Sequence, residues 1–126
     1  GDHSAPEVIF IYGDAGTGKT RYVRELEPDI YDVPPSDGYK WKDGYTGQEA
    51  VLYDNIAPST ITSPGTFLKE IDRYPIQVPV KGAFVAWKPR RIYLTTTYKQ
   101  SAFAQLFHQC EEFNRRITSV INLPTI

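Results

Sequence analysis

The most constraining feature of this sequence is residues 7–23, EVIFIYGDAGTGKTRYV, where an apolar run breaks into glycines and then into an amphipathic segment. The stretch satisfies the pattern G-x-x-x-x-G-K-[ST] with Gly13, Gly18, Lys19 and Thr20. A buried parallel strand, a glycine-rich loop and a helix form the setting in which this pattern binds phosphate. The sequence therefore predicts a nucleotide-binding loop near the start of an α/β domain.

Several groups of the loop can bind a triphosphate together. Its backbone N–H groups and the start of the following helix, predicted from about Gly18 to Leu26, attract the β- and γ-phosphates. Lys19 adds a positive charge, the Thr20 hydroxyl is a Mg²⁺ ligand, and Gly16 allows close backbone approach. The predicted ATP-binding residues are Gly13, Asp14, Ala15, Gly16, Thr17, Gly18, Lys19 and Thr20.

Size and composition favour one globular domain. The chain has 126 residues, of which 40% are hydrophobic and 23% charged. No apolar run approaches the roughly 20 residues that span a bilayer, so we expect no membrane partner, and the single cysteine, Cys110, excludes an internal disulfide. Residues 1–68 carry a net charge of −6 and residues 69–126 one of +5. The basic half predicts a polyanionic partner, unless the surface charge is distributed by chance.

Alternating strands and helices predict a mostly parallel α/β sheet flanked by helices. The strands are EVIFIYG, AVLYD, RIYLTTT and ITSVINL, and residues 27–48 read as a long loop anchored by aromatic residues. Ser63 and Pro64 begin a second helix, and IQVPV and AFVAW form an inserted β-hairpin with Lys81 and Gly82 at its tip. SAFAQLFHQCEEF predicts a further helix. Its apolar face would comprise Ala102, Phe103, Leu106, Phe107, Cys110 and Phe113.

An acid and an amide follow the second core strand. Asp54 would hold Mg²⁺, directly or through water, from the end of a strand next to the phosphate loop. The alternative is an ordinary turn aspartate. Asn55 occupies a position where many ATPases have a second carboxylate, and an amide can orient a water molecule but cannot accept its proton. Slow hydrolysis, or a base from elsewhere, follows as a hypothesis.

Polar and basic residues near the end of the chain complete the candidate catalytic set. Thr97 ends the third core strand, where it could sense the γ-phosphate or position water, although threonine is also common in strands. Thr95 and Thr96 are interpreted as satisfying the strand end. Arg115 and Arg116 follow the last helix, and one of them could reach a neighbouring subunit's γ-phosphate. The alternative is a favourable charge at a helix end.

The hairpin combines cations with aromatic rings, as single-strand binding without sequence preference requires. The candidate DNA-binding residues are Lys81, Gly82, Phe84 and Lys88, and Trp87, Arg90 and Arg91 lie in the same segment. The alternative is a hydrophobic hairpin with solvated ends. His108 and Cys110 have no spacing to other metal ligands, so packing or surface positions are expected for them.

Taken in order, these segments resemble the superfamily 3 helicase domain of replication initiator (Rep) proteins of circovirus- and cyclovirus-like viruses. GDAGTGKT is similar to the Walker A loop, and WKDGYTGQEAVLYDN to the family segment that runs into Walker B. DRYPIQVPVKGAFVAWKPRRIYLTTT resembles the B′ segment and motif C, and RRITSVI the arginine-bearing end. The resemblance covers about residues 8–123. It departs at Asn55, where a second acid is usual, and at Thr97, where asparagine is usual.

The resemblance implies an AAA+-like P-loop fold and a Mg²⁺-dependent, ATP-driven DNA helicase that forms a hexameric ring in the host cell nucleus. Lys81 would contact single-stranded DNA in the pore, and Arg115 or Arg116 would act between subunits. It also implies an N-terminal endonuclease domain in cis, whose His-rich motif and tyrosine nucleophile are not in this sequence. We therefore expect an excised domain, with residues 1–7 a disordered start or expression remnant and residues 8–126 the ATPase.

Three alternatives remain at this point. The chain could be a nucleotide-gated module that binds single strands and assembles with little ATP turnover, as Asn55 and Thr97 suggest. It could be a small phosphotransferase, against which the basic aromatic hairpin and the paired arginines argue. It could also be an RNA-virus helicase of the same superfamily, because tracking along a nucleic-acid backbone does not by itself distinguish DNA from RNA.

Overall fold

A five-stranded parallel sheet with the strand order β2-β3-β6-β1-β7 forms the centre of the fold. The computed structural model describes residues 5–107 and 110–124. The strands are β1 Glu7–Tyr12, β2 Tyr31–Asp32, β3 Ala50–Tyr53, β6 Arg91–Thr96 and β7 Ser119–Asn122. The order brings the C-terminal ends of β1, β3 and β6 together, where ligands of open α/β sheets bind. The predicted α/β class and parallel sheet are confirmed.

Helices cover the sheet. They are α1 Lys19–Leu26, the single turn α2 Ser36–Tyr39, α3 Pro64–Glu70 and α4 Cys110–Asn114, with 3₁₀ turns at Pro58–Thr60 and Gln100–Leu106. Side chains alternate along each strand, so Phe10 and Tyr53 belong to one buried cluster while Ile11 and Leu52 belong to another. Within the described residues, no helix has the length and apolarity needed to cross a membrane.

The predicted hairpin is a separate two-stranded antiparallel sheet. Strand β4 Ile76–Val80 pairs with β5 Ala83–Trp87 in a register that places Val80 opposite Ala83. The two tip residues are Lys81 and Gly82, and Gly82 has a φ of 87°, which glycine adopts without strain. Val78 is buried, so the hairpin packs against the domain through one face and presents the other to solvent.

Two expectations about secondary structure were wrong. Residues 101–113 do not form one helix, because Phe107 has an extended backbone between the 3₁₀ turn and α4, and Ala102 of the proposed apolar face is exposed. The break lets Phe107 stack on Phe113 with ring centres 5.1 Å apart, while Phe103 packs edge-on against Phe10. The loop at 27–48 also contains the edge strand β2. His108 lies outside the described residues.

Candidate nucleotide-binding site

The glycine-rich loop joins the end of β1 to the start of α1, as predicted. Gly16 and Gly18 both have a φ of 85°, and a Cβ on either would meet nothing within 4 Å, so the requirement for glycine there is one of backbone conformation. At Gly13 the reason is space, since a Cβ would lie 2.3 Å from the carbonyl oxygen of Leu123. The loop therefore passes directly beside the end of β7.

The Lys19 side chain folds back into the phosphate loop. Only 9% of the residue's surface is exposed, and Nζ donates to the carbonyl oxygens of Gly13 at 2.8 Å and Asp14 at 3.0 Å. The Thr17 hydroxyl is buried with no hydrogen-bond partner among the described residues. An ammonium, an orphan hydroxyl and a positive helix end thus converge, and this donor set fits the phosphate groups of a nucleotide.

Two threonine hydroxyls meet the Asp54 carboxylate. Thr20 Oγ1 and Thr95 Oγ1 each donate to Asp54 Oδ1 at 2.7 Å. The three residues come from α1, β6 and the end of β3, and β3 and β6 are adjacent in the sheet. The backbone oxygen of Asp54 accepts a hydrogen bond from the Tyr39 hydroxyl at 2.9 Å. A carboxylate and a hydroxyl at the loop are hard oxygen ligands, so Thr20 and Asp54 fit Mg²⁺.

Thr95 is a site residue that the sequence did not single out. It is 1% exposed, and besides donating to Asp54 it accepts a hydrogen bond from the Asn55 backbone N–H at 2.8 Å. Thr96 points to the other face and donates to the Ile56 carbonyl oxygen at 2.7 Å. The alternation of a strand could have indicated that only one of these two threonines faces the site, but not which one.

Asn55 and Thr97 both lie at the surface of the site. Asn55 is exposed and has a φ of 54°, a left-handed conformation that asparagine tolerates better than most residues. The backbone conformation at this position therefore favours asparagine. Thr97 is exposed and lines a cleft of about 280 Å³ together with Gly13, Asp14 and Asn122. Thr97 thus lies beside the phosphate loop, one residue after the end of β6.

The two arginines have different environments. Arg116 is mostly buried, with NH2 2.8 Å from Asp72 Oδ2 and NH1 donating to the Glu112 carbonyl oxygen. Burial favours a raised pKa for Asp72, but hydrogen bonds from the Arg73 backbone and Arg116, together with the positive charges nearby, hold the pKa below its usual value. Arg116 therefore has an internal structural role.

Arg115 is exposed at the opposite end of the sheet from the phosphate loop. It precedes β7, and the nearby Thr118 N–H donates to the carbonyl oxygen of Val8, near the start of β1. The loop follows the other end of β1, and a six-residue strand spans roughly 20 Å. Arg115 therefore cannot contact a nucleotide bound at the phosphate loop of its own chain.

The hairpin exposes all four residues that were predicted to bind DNA. Lys81, Gly82, Phe84 and Lys88 are exposed, and Phe84 is 67% exposed. Two residues of the same segment have other roles. Trp87 is buried and donates from Nε1 to the Glu70 carbonyl oxygen at 2.9 Å, and Arg91 is ion-paired with Glu27. Trp87 therefore cannot stack on a base in this arrangement, and two nitrogens of the Arg91 guanidinium are taken up by Glu27.

A buried polar network joins the site to the hairpin. Lys42 Nζ lies 3.0 Å from Glu70 Oε2, and the Tyr53 hydroxyl donates to Glu70 Oε1 at 2.6 Å. Burial lowers the pKa of Lys42 and raises that of Glu70, while the attraction between them opposes both shifts. The Lys42 backbone N–H donates to the Pro79 carbonyl oxygen of β4 at 2.9 Å. The network was not expected, because its members are far apart in sequence.

Comparison with known proteins agrees with this geometry. The family model described as RNA helicase matches residues 9–98. The chain belongs to this helicase family. It is similar to the replication-associated proteins of Pigeon circovirus, at 39% identity over 77% of this chain and 29% of the relative, and of Beak and feather disease virus, at 38% over 71% and 29%. The match to the replication-associated protein of Porcine circovirus 2 is 32% identical over 90% of this chain and 36% of the relative.

This helicase-family chain spans about a third of the length of those viral relatives. Its fold is also similar to that of a solved structure titled S. cerevisiae Hsp104-ADP complex, with a TM-score of 0.64, 16% identity and coverage of 97% of this chain and 24% of that chain. At that identity the likeness concerns the fold alone, and it supports the predicted P-loop NTPase architecture. The resemblance to circovirus and cyclovirus Rep helicase domains is confirmed.

Proposed function

We propose that this chain is the ATP-hydrolysing DNA helicase domain of a viral replication initiator, moving on single-stranded DNA as a ring oligomer. The observation that carries the proposal is the cluster formed by Thr20, Asp54 and Thr95 beside the buried Lys19. A phosphate-binding loop with a hydroxyl and an acid at its mouth is the set of groups that P-loop enzymes use to bind a nucleoside triphosphate with Mg²⁺, the first requirement for hydrolysing it.

The residues have separable tasks in this proposal. Lys19 and the loop N–H groups bind the β- and γ-phosphates, and Thr20 and Asp54 hold Mg²⁺, which neutralises charge on the phosphate oxygens when bound. Thr95 orients the Asp54 carboxylate by its hydrogen bond. Thr97 lies beside the loop, where its hydroxyl can position water.

The polyanion-binding side is the hairpin. Lys81 and Lys88 supply positive charge and Phe84 an exposed ring, which suits the backbone and bases of a single strand. Arg115 supports a ring, because it is exposed and lies away from its own phosphate loop. In that assembly its guanidinium would stabilise charge on the neighbour's γ-phosphate.

ATP hydrolysis by the purified chain with Mg²⁺ tests the site. We expect turnover that single-stranded DNA stimulates and that Lys19→Ala abolishes, while Lys69→Ala, an exposed lysine on α3, serves as the charge-matched control. Equal hydrolysis by Lys19→Ala and the parent would refute the site. Under conditions in which the parent forms oligomers, Arg115→Ala should lose hydrolysis without losing thermal stability. Mixing Arg115→Ala subunits with Lys19→Ala subunits should restore part of the activity.

A nucleotide-gated binding module with little turnover is the second candidate function, favoured by the exposed amide of Asn55. Asn55→Asp distinguishes the two candidates, because aspartate also tolerates the left-handed backbone. A large gain in hydrolysis would indicate that the parent site is impaired. Stimulation by DNA and RNA oligonucleotides of one sequence, measured side by side, decides whether the nucleic acid is DNA.

A further inference from the structure

The hairpin tip is held by residues distant in the sequence. The Lys81 ammonium lies 4.0 Å from the centre of the Trp41 ring, and the Lys81 backbone N–H donates to Asp43 Oδ1 at 3.0 Å. An ammonium is attracted to the negative face of an indole ring. The exposed Lys81 is therefore restrained at its backbone and at the end of its side chain.

Trp41 is itself held in place. Its Nε1 donates to Asp37 Oδ2 at 2.9 Å, and the Lys40 ammonium lies 4.7 Å from the ring centre. The next residue, Lys42, is fully buried and bound to Glu70. The ring thus belongs to a segment anchored in the core, so it can fix the position of Lys81 rather than follow its motion.

Restraining Lys81 matters for binding. A free lysine side chain has many rotamers, and binding a phosphate removes that freedom at a cost in affinity. A lysine already held over a ring loses less conformational entropy when it binds a phosphate. The same ring is contacted by two lysines, Lys40 and Lys81, which concentrates positive charge at the hairpin tip.

We infer that Trp41 is a positioning residue that holds the Lys81 ammonium for contact with a phosphate of single-stranded nucleic acid. The inference rests on the proposed role of Lys81 in binding DNA. It assigns Trp41 an effect that passes through Lys81, without direct stacking of a base on the Trp41 ring.

The test measures binding of a fluorescent oligothymidine by anisotropy, with Mg²⁺ and a non-hydrolysable ATP analogue. The variants are Trp41→Ala, Trp41→Phe, Lys81→Ala and the double variant Trp41→Ala/Lys81→Ala, with Lys69→Ala as the control lysine. We expect Trp41→Ala to weaken binding about two- to fivefold, the range of an exposed cation–π contact. Trp41→Phe, which keeps an aromatic face, should restore most of the affinity.

The double variant decides the mechanism. If Trp41 acts through Lys81, the double variant binds no more weakly than Lys81→Ala alone. If the two losses multiply, Trp41 contacts the nucleic acid directly and the positioning role is wrong. Parent-like binding by Trp41→Ala, with weakened binding by Lys81→Ala, overturns the inference and leaves the proposed function standing. Parent-like binding by Lys81→Ala overturns the proposed DNA contact itself. Should Trp41→Ala not fold, Trp41→Leu takes its place, since it keeps apolar bulk without a ring.

Discussion

Replacing Lys42 by methionine removes the positive member of a buried ion pair while keeping a similar volume. The Lys42 side chain is 0% exposed and that of Glu70 4%. Besides Glu70 Oε2, Nζ donates to the carbonyl oxygens of Tyr39 at 2.5 Å and Lys40 at 3.1 Å. Lys42→Met therefore leaves a buried carboxylate with the Tyr53 hydroxyl as the remaining hydrogen-bond donor described for it.

The expected loss is large. Removing one partner of a buried ion pair costs about 3–5 kcal/mol, because the other charge stays buried without compensation. A domain is stable by about 5–15 kcal/mol, so the change takes a large share of the total. With a urea dependence of about 2 kcal/mol per molar, the midpoint of unfolding should fall by about 2 M. Urea unfolding followed by the fluorescence of the two tryptophans, Trp41 and Trp87, measures this loss.

A double variant separates charge from packing. Lys42→Met/Glu70→Gln removes both charges and keeps an acceptor for the Tyr53 hydroxyl. Replacing a whole buried pair is often close to neutral, and the carbonyl groups left without a donor should cost about 1–3 kcal/mol. The double variant should therefore be more stable than Lys42→Met.

The stability lost in Lys42→Met should depend on pH, in a direction set by Glu70. Burial raises the pKa of Glu70, and Lys42 opposes the shift. Without Lys42 the folded pKa rises further above the unfolded value, so folding favours the protonated acid. The deficit of Lys42→Met should shrink towards acid pH and grow as the pH rises through the folded pKa. A loss under about 1 kcal/mol, or a deficit independent of pH, would refute the reasoning.

Three further predictions concern other contacts. Thr95→Val keeps a β-branched side chain but removes the hydroxyl on Asp54, and we expect about tenfold slower ATP hydrolysis; an unchanged rate would show that the hydroxyl does not orient the acid. Arg116→Ala should lower the urea-derived stability by about 1–3 kcal/mol, and parent-like stability would contradict its internal role. The hydrogen bond from Arg91 lowers the pKa of Glu27 below its ordinary value of about 4.5. The stability that this ion pair adds to the folded state should therefore be lost as the pH falls below about 4.5 and through the folded pKa. Glu27→Gln should flatten this acid dependence in urea titrations, and an unchanged slope would contradict it.

Local features of the sequence predicted much of the fold. The glycine pattern between an apolar strand and a helix predicted that Lys19 and Thr20 begin α1, because a tight loop and its flanking elements are encoded by contiguous residues. The hairpin and its Lys81–Gly82 tip were predicted for the same reason. The prediction of one helix over residues 101–113 was wrong because aromatic packing of Phe107 on Phe113 outweighed helical periodicity.

The amino-acid sequence by itself determined that a phosphate loop, an acid after a strand and a basic hairpin occur in this order. Only the tertiary structure decided which side chains meet. The register of β3 on β6 pairs Tyr53 with Leu94, and this selects Thr95 over Thr96 as the partner of Asp54. Burial beside Asp72 separates Arg116 from the exposed Arg115. These choices depend on strand order and on contacts between residues some 40 positions apart, and a local pattern carries no information about them.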